Sequence, residues 1–127
     1  MDDDSCVHCG DIETLEHMFF LCPAVKLFWE EFTNFWQLLS GELLFLNDYR
    51  VIFGIYPVKK CVALNHAMLI AKYHLYTVRF QDIRPSFTMY LETLKCVVNI
   101  EKKMCKRKNQ FSVFQTKWGI LKHFLND

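Results

Sequence analysis

The chain has 127 residues, a formal net charge of +1 and 52% hydrophobic residues. This length fits one domain, and the apolar content excludes a chain that is disordered throughout. No apolar run approaches the about 18 residues of a membrane span, and the acidic first residues are unlike a signal peptide, so we expect no membrane contact and an intracellular protein, nuclear or cytoplasmic.

Three cysteines and one histidine near the start of the chain have the spacing Cys-x2-Cys-x7-His-x4-Cys. They are Cys6, Cys9, His17 and Cys22. Two cysteines separated by two residues can direct both sulfur atoms at one ion from a tight turn, and Gly10 after them relieves the backbone strain of that turn. Four protein ligands fill a tetrahedral zinc site. The pattern therefore predicts one structural zinc ion in a zinc knuckle over residues 1–24.

The second half of this knuckle is expected to be helical. Strong helix formers extend from Glu13 to Leu21, and Pro23 blocks continuation of the same helix. We therefore expect His17 and Cys22 to lie about one helical turn apart.

Three alternatives stay open at this motif. Cys6 and Cys9 also have the spacing of a thioredoxin-like redox pair, although that motif follows a strand and only five residues precede Cys6. The cysteines can also be read as ordinary thiols, against which the fourth ligand at workable spacing argues. His8 is a rival fourth ligand, but inside the turn its ring is expected to point outward.

Residues 23–41 have apolar side chains at three- and four-residue steps, which predicts a long helix that begins at Pro23 and ends at Gly41. Its aromatic stripe has the spacing of a core rather than of a base-stacking surface, so we expect it to pack the knuckle on the helical body. Residues 42–58 contain short apolar runs, which predict irregular structure with at most two short strands and a possible hairpin at residues 47–48.

Two apolar stripes follow the next predicted helix, over residues 59–84. The first stripe contains Val62, His66, Leu69, Tyr73, Tyr76 and Phe80, and the second contains Leu64, Met68, Ala71, Leu75 and Val78. A helix that is apolar on two faces is expected at the centre of the fold. We interpret His66 and His74 as hydrogen-bonded core or boundary residues and expect Lys72 to reach solvent, with a contact to a phosphate as the alternative.

Two further helices complete the prediction. One begins with Pro85 in its first turn and ends near Lys108, and a short amphipathic helix covers residues 111–124 with Lys117 facing outward. The expected fold is all-α, with the knuckle packed on a bundle of about four helices formed by residues 25–127 as one compact unit.

Charge is distributed unevenly along the chain. Residues 1–60 contain ten acidic and four basic residues, whereas residues 61–127 contain eleven basic and four acidic ones. The densest positive run is Lys102, Lys103, Lys106, Arg107 and Lys108. Such a run is typical either of a solvated helix end, where cations also suit the helix dipole, or of a contact with nucleic-acid phosphates.

The first 29 residues resemble the zinc-binding segment at the carboxyl end of reverse transcriptases of LINE-type (non-LTR) retrotransposons. The resemblance lies in Cys6-x2-Cys9-Gly10, in the run from Glu13 to Pro23, and in Val25, Phe28 and Trp29. Weaker landmarks of the same kind are Phe53-Gly54, the segment 69–74 and Lys117-Trp118.

The resemblance implies a fragment of a larger polyprotein that carries endonuclease and polymerase domains elsewhere. It implies metal binding by the Cys/His motif, contacts with RNA or DNA during target-primed reverse transcription, and upstream reverse-transcriptase domains as partners. We expect no catalysis, because the sequence offers no polymerase aspartate pair, phosphate loop or Ser-His-Asp arrangement. The alternative function is a zinc-stabilised protein-interaction module that docks on a polymerase body or self-associates.

Overall fold

The computed structural model describes residues 6, 9–10, 14–56, 61–81 and 83–125, and within these ranges every regular element is helical. The elements are a π-helical turn at His17–Leu21, α1 (Pro23–Ser40), α2 (Asp48–Phe53), α3 (Val62–Phe80), α4 (Phe87–Arg107), α5 (Phe111–Trp118), a 3-10 turn at Gly119–Leu121 and α6 (Lys122–Leu125). The predicted all-α fold is confirmed. No helix in the described ranges is long and apolar enough to cross a membrane.

Helix α1 forms as predicted, with Pro23 in its first turn and Gly41 as its C-cap in the left-handed conformation, φ 74°. Its aromatic stripe is buried in the core, as expected, except for Phe35, which is partly buried. Phe28 and Phe32 both contact the ring of Tyr90 on α4, with centroids 5.4 and 6.0 Å apart. Edge-to-face and tilted contacts of this kind add to the stabilisation from burial.

Helix α3 is held to α4 and α5 by buried and part-buried polar groups as well as by apolar packing. The Tyr90 hydroxyl donates to the Ala67 carbonyl across 2.8 Å, and burial raises the pKa of this phenol. The Ser86 backbone N–H donates to Nε2 of His74, and burial lowers the pKa of that imidazole. The Lys117 ammonium donates to Nδ1 of His66 across 2.9 Å. Both histidines are therefore hydrogen-bonded core or boundary residues, as predicted.

The segment 42–58 is irregular at residues 42–47 and 54–56, as predicted, but between them it contains α2, and no strand or hairpin forms in its described part. Asn47 is the N-cap of this helix, and its Oδ1 accepts from the Arg50 backbone N–H across 2.8 Å. An asparagine that caps a helix start leaves no two-residue turn for a hairpin. The part of this prediction that falls on residues 57–58 lies outside the described ranges.

The prediction that α3 is central on both apolar faces is wrong. Its second stripe is buried except for Leu64, which is partly buried, but five members of the first stripe are exposed. These are Val62, Leu69, Tyr73, Tyr76 and Phe80, with 42%, 60%, 66%, 46% and 65% of their surface accessible. Helical periodicity in the sequence identifies the apolar faces of a helix. The packing of the other helices decides which of these faces is covered.

Two lysines and one proline also lie differently from their predictions. Lys117 is part-buried and forms an ion pair with Glu101 at 3.1 Å instead of facing outward. The Lys72 ammonium donates to the Ile52 carbonyl across 3.1 Å, and burial lowers its pKa. Pro85 precedes the N-cap Ser86 rather than lying in the first turn of α4. Each difference arises because a partner distant in sequence, or a capping side chain, decides the position.

Candidate metal centre

The first two cysteines of the predicted ligand set lie on a tight turn. The Gly10 backbone N–H donates to the Cys6 carbonyl across 2.9 Å, which closes the chain around Cys9. Gly10 has φ 86°, a left-handed conformation that favours glycine even though open space surrounds the position of a Cβ. The glycine therefore has the role that the sequence predicts for it.

His17 and Cys22 are placed by the π-helical turn, which the sequence pattern did not predict. The Cys22 backbone N–H donates to the His17 carbonyl five residues earlier, across 3.0 Å, and Cys22 then adopts an extended conformation. In an α-helix five residues turn the chain by about 140° beyond one full turn, which would separate the two side chains. The wider π-helical turn brings the side chains of His17 and Cys22, which have four residues between them, to the same side, so that both can reach one common centre.

The start of this turn is fixed by a side chain that sequence reasoning also missed. The Thr14 hydroxyl oxygen accepts from the His17 backbone N–H across 3.0 Å. A threonine three residues before the ligand is a local capping signal that can be read in a sequence.

The four predicted ligands meet at one point. Their ligand atoms all lie within 4.8 Å of one another. Cys22 Sγ is 3.7 Å from both Cys6 Sγ and Cys9 Sγ, and Cys9 Sγ is 3.2 Å from His17 Nε2. Two sulfur atoms bound tetrahedrally to one zinc ion are about 3.8 Å apart, because each Zn–S bond is about 2.3 Å long. The cluster can therefore hold a metal ion.

The donor atoms of the cluster suit a metal cation. Cys6, His17 and Cys22 are buried and Cys9 is exposed. All described cysteines are free of disulfides, and burial raises the pKa of the Cys22 thiol to about 12. A bound divalent ion deprotonates a coordinating thiol outright, and a set of three sulfurs and one imidazole suits soft or borderline metals. This donor set fits zinc.

The cluster is anchored to the helical body through α1. The Trp29 indole N–H donates to the Phe19 carbonyl within the π-helical turn across 2.6 Å. Cys6 and Cys22 belong to the same buried cluster as the α1 aromatic residues. Trp29 is thus a positioning residue for the site.

The basic run lies at the end of α4, with Lys108 as the C-cap. Lys103, Lys106, Arg107 and Lys108 are exposed, whereas Lys102 is partly buried. The Lys106 ammonium lies 5.1 Å from the centre of the Phe111 ring. The structure thus places four of the five predicted charges at a solvent-exposed helix end. His8 lies outside the described ranges.

Comparisons of the chain with protein-family models, with curated proteins and with solved structures return no match. The resemblance to LINE-type reverse transcriptases therefore stays a prediction, based on the residues quoted above.

Proposed function

We propose that this protein is a non-catalytic, zinc-binding accessory module of a retrotransposon reverse transcriptase that contacts RNA or DNA. The observation that carries the proposal is the convergence of Cys6, Cys9, His17 and Cys22 within 4.8 Å. The same four residues carry the most specific part of the family resemblance.

In this proposal zinc has a structural role. Four protein ligands complete a tetrahedral coordination shell and leave no position for substrate. The ion would hold the cysteine turn against the π-helical turn, which Trp29 fixes to α1. Metal binding then contributes directly to the free energy of folding.

The nucleic-acid contact is assigned to the basic run at the end of α4. Its exposed ammonium and guanidinium groups can approach a phosphate backbone without rearrangement of the core. Contacts of this kind are independent of base sequence, and the binding affinity that they provide falls as the salt concentration rises.

The test is the salt dependence of binding to a single-stranded RNA, measured by fluorescence anisotropy. Replacement of all five basic residues of the run by alanine should reduce the slope of log K against the logarithm of the salt concentration. The magnitude of the slope should fall by about 0.7 for each phosphate that the variant no longer neutralises. A matched control removes two exposed lysines elsewhere, Lys26→Ala and Lys122→Ala. An unchanged slope in the five-residue variant, or an equal change in the control, would refute the assigned patch.

A second candidate function is favoured by exposed aliphatic side chains near the end of α1. Leu38 and Leu43 have 86% and 96% of their surface accessible, as expected of a module that docks on a polymerase body or on another copy. Capture of the upstream domains that persists in high salt and fails in a Leu38→Asp, Leu43→Asp variant would favour this function.

A further inference from the structure

One face of α3 consists of exposed apolar side chains, most of them aromatic. We call Leu69, Tyr73, Tyr76 and Phe80 the aromatic face. They follow one another at steps of four, three and four residues, so they form one row along the helix. Each has between 46% and 66% of its surface accessible.

The aromatic face is continuous with a shallow cavity beside the metal centre. This cavity, of about 420 Å³, is lined by Phe19, Leu69, Lys72, Tyr73 and Tyr76. Phe19 belongs to the π-helical turn that begins at the ligand His17. Beyond the cavity, the Tyr76 and Phe80 rings contact each other with centroids 4.7 Å apart. The row therefore begins beside Phe19 of the π-helical turn and extends to the end of α3.

Positive charge accompanies these rings. Helix α3 carries two charged residues, Lys72 and Arg79, and both are basic. Lys72 lines the cavity, and the Arg79 guanidinium lies 5.4 Å from the centre of the Phe80 ring. Aromatic rings combined with cations match a ligand that has flat apolar groups on an anionic backbone.

We propose that the aromatic face stacks the bases of a single-stranded nucleic acid, with the Arg79 guanidinium beside Phe80 on the side of its phosphates. The proposal rests on the proposed nucleic-acid function and adds a second contact surface to it, distinct from the basic run on α4. Tyrosine and phenylalanine rings stack on every base, so this surface would select single strands over duplexes rather than one base sequence.

The first experiment measures binding of a fluorescein-labelled, mixed-sequence RNA of about 12 nucleotides to the full zinc-loaded chain. Tyr73→Leu and Tyr76→Leu should each weaken binding about tenfold, because leucine keeps apolar area but cannot stack. Tyr73→Phe should retain binding. Loss in the leucine variants with retention in the phenylalanine variant would support stacking, and equal affinity in all variants would overturn it.

The chain offers a matched control for the end of the row. Phe80 and Phe45 are 65% and 67% exposed, and each has an arginine guanidinium over its ring, Arg79 and Arg50 respectively. Phe80→Leu should weaken RNA binding, whereas Phe45→Leu should leave it unchanged. Equal effects of the two variants would contradict a specific role of the aromatic face.

Two readouts separate this proposal from the function on which it rests. Substitutions in the aromatic face should lower affinity for the single strand while leaving both the salt slope and the affinity for a duplex of the same sequence unchanged. Salt-sensitive RNA binding that is unaffected by Tyr73→Leu and Tyr76→Leu would overturn the aromatic face alone. Absence of any RNA binding would overturn both proposals.

A self-association surface would behave differently. Sedimentation of the chain without RNA should show the mass of a monomer for the parent and for Tyr76→Leu. A dimer in the parent that Tyr76→Leu dissociates would show that a second copy covers the face, and it would overturn the proposal.

Discussion

The metal centre and the aromatic core are adjacent regions of one structure, and different forces hold each of them together. At the centre, three sulfurs and an imidazole nitrogen converge, and their own contacts contribute little without a cation. In the core, Phe32, Tyr90, Leu94 and Trp118 are almost fully buried and pack without any ion. The difference predicts that the start of the chain depends on a bound metal ion, whereas the helical body depends on apolar burial.

Removal of the metal should have the largest effect and should act on one region only. Metal binding in comparable zinc-finger peptides is worth on the order of 10 kcal/mol, so a strong chelator should release the turn that carries His17. Hydrogen exchange should then accelerate at residues 14–22 and stay slow in the middle of α4. Equal acceleration of hydrogen exchange in both regions would contradict the expected difference in their metal dependence. No acceleration in either region would show that the turn does not depend on metal.

Loss of one core ring should have the next largest effect, in the opposite region. Phe32 is fully buried against Trp29, Trp36 and Tyr90, so Phe32→Ala should lower the free energy of unfolding by about 3–5 kcal/mol. Denaturant titration of the zinc-loaded protein measures this change. The exposed Phe45→Ala is the control and should change stability by less than about 0.5 kcal/mol. Similar values for both variants would show that the core does not depend on this ring.

A change of pH should have the smallest effect and should act through His74. Burial lowers the pKa of this imidazole from 6.5, so below that pH the unfolded chain binds a proton more readily than the folded one. The contribution of His74 to stability is thus complete above pH 6.5 and is lost as the pH falls through its folded-state pKa. His74→Gln keeps an acceptor for the Ser86 N–H and should reduce the loss of stability between pH 7.5 and pH 5.5. An identical loss in both proteins would contradict this role.

The sequence alone predicts the local features of both regions. The ligand set and the turn glycine follow from spacing, and the α1 stripe follows from periodicity, because each depends on neighbours along the chain. The exposed face of α3 and the Lys117–Glu101 ion pair depend on how distant helices pack. The π-helical turn is an intermediate case. The spacing of four residues between His17 and Cys22 is visible in the sequence, but it indicates a π turn only once both ligands are known to share one centre.

Native mass spectrometry of the metal content tests the central claim most directly. The parent chain should carry one zinc ion, which Cys9→Ser should lose. Cys61→Ser should keep it, because Cys61 lies outside the ligand set. A parent chain without metal, or a Cys9→Ser variant that retains one tightly bound ion, would contradict the account.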